Sequence, residues 1–81
     1  MLLPRFPIDI PGGSTSGAVQ PVIVLAEIGP DGNVIEEELS AASDPALAER
    51  ALDAVRGMRF PPLPFAQRQV YINVRFLPLE P

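Results

Sequence analysis

The sequence predicts an α+β domain of ββαβ order: a three-stranded antiparallel sheet, spatial order 2-1-3, covered on one face by one helix. Three stretches carry that prediction. "AVQPVIVLAEI", Ala18 to Ile28, is apolar and β-branched on both of its faces, as a central strand reads. "SDPALAERALDAVRGM" sets apolar residues at helical spacing behind an acidic cap. "QVYINVRF", Gln69 to Phe76, alternates strictly, the period-two mark of a strand with one buried side.

Residues 1–16 are expected to be an extended Pro/Gly/Ser-rich linker, and residues 17–81 the folded domain. "LPRFPIDIP" reads as extended and "GGSTSG" as flexible linker. Gly12 and Gly17 have the outer spacing of a phosphate-binding loop, but no Lys-Ser/Thr follows and no strand precedes. In the first strand Val22, Val24, Ala26 and Ile28 share one face; Ile23, Leu25 and Glu27 share the other. Pro21 is tolerable there if regular pairing begins after it. "GPDGN" then predicts a hairpin, with Pro30 at the first corner and Asp31-Gly32 supplying the positive-φ position.

The second strand is "VIEEELS", whose alternation is imperfect. A bulge after Val34 would reset the register and return Leu39 to the core face. Glu36, Glu37 and Glu38 point to alternate faces, so they do not converge as paired acids or metal ligands. They read as a solvated edge, guarded by like charge.

In the helix Asp44 can cap, Pro45 fits the first helical position, and Glu49 favours the dipole. Leu47, Ala48, Ala51, Leu52, Val55 and Met58 form the buried stripe; Glu49, Arg50, Asp53 and Arg56 fall on the solvated side. Gly57 loosens the last turn by about 1 kcal/mol relative to alanine, and the helix must stop before Pro61. In the connector "RFPPLPF", Phe60, Leu63 and Phe65 are expected to plug the end of the sheet. The closing strand is expected beside the apolar first strand, since pairing with the second would displace the acidic edge. Two edges are then expected, one bearing Glu36 to Glu38 and the other Tyr71, Asn73 and Arg75.

Composition narrows the function. With 81 residues one domain and a small core are expected. The 11 prolines are far above the usual share of about 5%; they cluster at the N-terminus, in "FPPLPF" and at the C-terminus, and there read as rigid connectors. There is no cysteine and no histidine, so no disulfide and none of the usual acid–base or metal chemistry is expected. No catalytic, metal or cofactor residue is assigned, and an enzyme is not expected. The net charge of -4 argues against nucleic acid as a partner. From Ala54 onward, however, four arginines face a single acid, Glu80. No apolar run approaches the ~20 residues of a membrane span, and "MLLP" is too short for a signal sequence; the chain is expected to be a piece of a longer protein.

"GAVQPVIVLAEIGPDGNVIEEELSAASDPALAERALDAVRGMRFPP", followed by "VYINVRF", resembles the C-terminal domain of TonB-type energy transducers and their TolA-like relatives. The hairpin "IGPDGNV", the capped helix with its Arg-Phe-Pro exit and the closing strand occur in that family's order. "PRFP", Pro4 to Pro7, is similar to the Pro-x-Tyr-Pro element that often precedes the domain. This sequence departs from the family's pattern where Met58 stands for tryptophan, Phe6 for tyrosine and Glu37 for an apolar residue.

The resemblance implies a periplasmic domain of a Gram-negative bacterium, at the C-terminus of an inner-membrane-anchored protein. An upstream membrane helix, absent here, would engage motor proteins driven by the proton-motive force. The domain would capture the TonB box of an outer-membrane transporter by strand addition along Arg68, Gln69, Val70, Tyr71, Ile72, Asn73, Val74, Arg75 and Phe76. Arg68 and Arg75 suit an acidic peptide, and backbone bonds of about 1 kcal/mol each make the grip releasable. Two alternatives use other partners: an assembly module that homodimerises through the same edge, or a TolA-like envelope interaction domain.

Overall fold

The computed structural model describes residues 3–61 and 68–79. It is α+β, with strands β1 (Arg5–Ile10), β2 (Gln20–Ile28), β3 (Val34–Ala42) and β4 (Gln69–Phe76). A 3-10 turn at Pro45–Leu47 leads into the helix α1 (Ala48–Arg56). The sheet has four strands in order β1-β4-β2-β3. The expected order of the hairpin and the closing strand holds within it, β4 lying beside β2 and β3 at the far side. The expected count and sense do not hold: β1 adds a fourth strand, and it runs parallel to β4, so the sheet is mixed.

That fourth strand comes from the segment expected to be a linker. "RFPIDI" alternates, with Phe6, Ile8 and Ile10 half-buried against the core and Arg5, Pro7 and Asp9 exposed. Its prolines hide that period. Phe6 meets Phe60 edge-on, ring centroids 5.4 Å apart, a favourable geometry for aromatic quadrupoles. "GGSTSG" is an ordered connection. The Gln20 side-chain oxygen accepts from the Thr15 N–H at 2.6 Å and from the Ser14 and Thr15 hydroxyls at 2.9 and 3.0 Å. Thr15 also reaches the Asp44 carboxylate at 2.9 Å.

The hairpin forms as expected. The Gly32 N–H bonds to the Gly29 carbonyl at 3.0 Å, Asn33 returns to the Asp31 carboxylate at 3.2 Å, and Gly32 takes φ +89°. The register shifts between Glu27 and Ile28, with Ile28 opposite Val34 and Glu27 opposite Glu36. Ile35 is the extra residue, so the bulge after Val34 is real. Leu39 thereby stands opposite Val24, which belongs to the core row. As the outermost strand, however, β3 leaves Leu39 41% exposed.

Asp44 caps the 3-10 turn, accepting from the Ala46 N–H at 3.0 Å. That bond holds its carboxyl below the ordinary range. Leu47 of the turn and Ala51 and Val55 of the helix join Val22, Val24, Ala26 and Ile28 of β2 and Val70, Ile72, Val74 and Phe76 of β4 in one buried core. Ala48, Leu52 and Met58 are half-buried at the rim of that stripe. At the helix exit the Phe60 N–H bonds the Gly32 carbonyl at 2.8 Å, tying hairpin tip to connector. Phe60 packs on the core as expected; Leu63 and Phe65 lie outside the described residues.

Candidate functional site

The expected binding strand forms where the alternation places it. Val70, Ile72, Val74 and Phe76 are fully buried on the core face of the sheet, so those four side chains build the core and offer a partner only their backbone. Tyr71 and Asn73 are half-buried on the helix-free face, and Arg68, Gln69 and Arg75 are exposed.

The expectation of an open edge at β4 is corrected. β2 lies on one side, with Val24 opposite Ile72, and β1 fills the other, with Phe6 opposite Ile72 and Ile8 opposite Val74. Bonds from the Tyr71 N–H to the Pro4 carbonyl (2.8 Å) and from the Leu77 N–H to the Ile10 carbonyl (3.0 Å) bracket the β1 ladder. The physical reason is burial: three apolar side chains leave water only if β1 docks beside β4. Arg75 is not free for an acidic peptide either. Its guanidinium donates twice to Asp9 of β1, at 2.6 and 2.8 Å, and that pairing holds the Asp9 carboxyl below its ordinary range.

Bonding residues alternate along a parallel ladder. Phe6, Ile8 and Ile10 therefore turn their backbone groups to β4, whereas Arg5, Pro7 and Asp9 turn theirs outward. Pro7 has no N–H to present, so the new outer edge lacks a donor at its middle. Sequence reasoning missed β1 and Asp9. The signal that could have found them is the six-residue alternation of "RFPIDI".

The other edge is β3, and Glu36 to Glu38 do lie along it. Glu37 stands opposite Ala26 on the helix side, where its carboxylate pairs with Arg56 of α1. Arg56 also holds Asp53 at 2.6 Å. A carboxylate is tolerated at that inward position because the helix supplies its counter-charge. Glu36 and Glu38 stand opposite Glu27 and Leu25, on the helix-free face. Among the described residues no group of acidic side chains converges as a metal site, and no helix is long and apolar enough to cross a membrane.

A family model described as the Gram-negative bacterial TonB protein C-terminal matches residues 16–78. Searches of curated proteins and of solved structures return no match.

Proposed function

The chain belongs to the Gram-negative bacterial TonB protein C-terminal family, a family of periplasmic interaction domains, and from that premise we propose that it captures an extended segment of an outer-membrane transporter on β4 by exchange with β1. The exchange replaces simple addition, because β1 already occupies the ladder. In this reading the chain is the terminal domain of an inner-membrane-anchored transducer, and the captured segment is the point at which force from the proton-motive machinery is applied.

One observation carries the reading. The outer side of β4 accepts a parallel strand over six residues of this same chain. That strand serves as a template for the partner. An exchanging segment needs apolar residues at the places of Phe6, Ile8 and Ile10, which pack on the core. An acid at the place of Asp9 would take the Arg75 guanidinium. Because the entering strand replaces backbone bonds and apolar contacts one for one, net affinity is modest and the grip releasable.

A staple tests this. The chain has no cysteine, so Asp9→Cys with Arg75→Cys, at register partners on the exposed face, forms a single defined cross-link between β1 and β4. The oxidised protein is expected to lose affinity for a TonB-box peptide, and reduction is expected to restore it. Equal binding by the oxidised and reduced forms would rule out exchange.

A further inference from the structure

The helix covers one face of the sheet only. The opposite face carries Arg5 and Pro7 of β1, Tyr71 and Asn73 of β4, Ile23, Leu25 and Glu27 of β2, and Glu36 and Glu38 of β3, with the Arg5 guanidinium 5.0 Å from the Tyr71 ring centroid. Two shallow hollows share this face. One, of about 240 Å³, is lined by Pro7, Ile23, Tyr71 and Asn73 among others. The second, of about 380 Å³, includes Leu25, Glu27, Glu36 and Glu38 in its lining. Leu25 of the second stands opposite Tyr71 of the first, so the two adjoin.

Three features of this face are uncompensated among the described residues. The Asn73 side-chain oxygen is buried without a hydrogen-bond partner. Its cross-strand neighbours are Pro7 and Ile23, neither of which has a side-chain donor. Native proteins pair nearly all such atoms. Glu27 stands directly opposite Glu36, a like-charge placement that disfavours the sheet. No described cation bridges Glu27, Glu36 or Glu38, the acid on β3 that is bridged being Glu37. Ile23 and Leu25 remain only half-buried beside them.

One occupant answers all three. We propose that this helix-free face docks a cationic segment of a partner protein, with an apolar or aromatic N–H-bearing residue seated over Asn73 and arginine or lysine side chains between Glu27, Glu36 and Glu38. At the acidic hollow charge complementarity selects cations; at the hollow beside Arg5 it selects an uncharged anchor, and the orphan oxygen selects a donor on it. Along β2 the acidic hollow lies two to four residues from the Asn73 row, roughly 7 to 13 Å at strand rise, which sets the spacing between the apolar anchor and the cations. Pro7 of β1 walls the hollow over Asn73, so this part of the surface exists while β1 is docked, whereas the acidic hollow is built from β2, β3 and β4 alone.

The test uses the full chain and a synthetic peptide with tryptophan as anchor and arginine at every second position beyond it. Amide shifts are expected at Ile23, Leu25, Tyr71 and Asn73, with Ile8 and Ile10, which line neither hollow, unmoved; shifts along β1 at Ile8 and Ile10 without any at Ile23 and Leu25 would instead mark strand exchange. Glu27→Gln with Glu36→Gln and Glu38→Gln is expected to weaken binding by roughly tenfold or more, as is the same peptide with glutamate in place of arginine. Asn73→Val is expected to raise the thermal midpoint, since it removes an unpaired acceptor, and to weaken the peptide by a similar factor. A triple glutamine variant that binds as tightly as the parent, or an Asn73→Val variant that is no more stable than it, overturns the proposal.

Discussion

Asp9 and Arg75 stand opposite each other across the β1–β4 pairing, and the carboxylate accepts two hydrogen bonds from the guanidinium, at 2.6 and 2.8 Å. The bond to Arg75 holds the Asp9 carboxyl below its ordinary 3.8, against a smaller opposing effect of desolvation. A depressed folded value means that this contribution is complete above the ordinary value and fades as pH falls through the depressed one. Hydrogen-exchange protection of Phe6, Ile8 and Ile10 is therefore expected to be flat above about pH 5 and to drop below about pH 4, ahead of the amides of β2. Asp9→Asn should remove that step. A step that persists in the variant assigns it to another group.

Gly32 holds the hairpin tip against the helix exit. It sits at φ +89°, and a Cβ there would lie 1.9 Å from the Phe60 carbonyl oxygen. Backbone strain of about 1–3 kcal/mol for a non-glycine residue in this region is joined by a clash that no side-chain rotation relieves. Gly32→Ala is expected to lower unfolding stability by at least that amount in a urea titration. A loss under about 0.5 kcal/mol would show that the tip moves freely away from Phe60.

Pro7 blunts the outer edge of β1. Its register partner is Asn73 and its own backbone faces outward, so Pro7→Val restores a donor to the edge without touching the β4 ladder. Sedimentation at rising concentration should show the variant self-associating where the parent does not. Identical profiles would mean that the missing donor does not guard the edge.

Phe76 is fully buried beneath the Arg50 guanidinium, which lies 5.4 Å from the ring centroid. Leu39, on the outermost strand, is 41% exposed. Phe76→Ala is expected to lose about 3–5 kcal/mol, whereas Leu39→Ala should stay within about 1 kcal/mol. Thermal melts compare the two directly. Equal losses would place Leu39 in the core.

Much of the fold was legible in the residues. A β-branched run apolar on both faces identified β2, period two identified β4, the cap and helical stripe identified the turn and α1, and the broken alternation of "VIEEELS" located the bulge now seen at Ile35. The candidate site was legible as a strand but not as an environment. Arg75 finds its counter-ion 66 residues away in the chain, and no local pattern encodes a distance of that kind.

The sequence by itself determined β2, β3, β4 and α1 and the apolar rows that each turns to the core, because those follow from local spacing. Only the tertiary structure decided who sits beside β4. "RFPIDI" is as compatible with an extended connector as with a strand, and its place was chosen by the burial of Phe6, Ile8 and Ile10 against the core and Phe60. That choice is non-local: it depends on apolar surface contributed by residues at the opposite end of the chain.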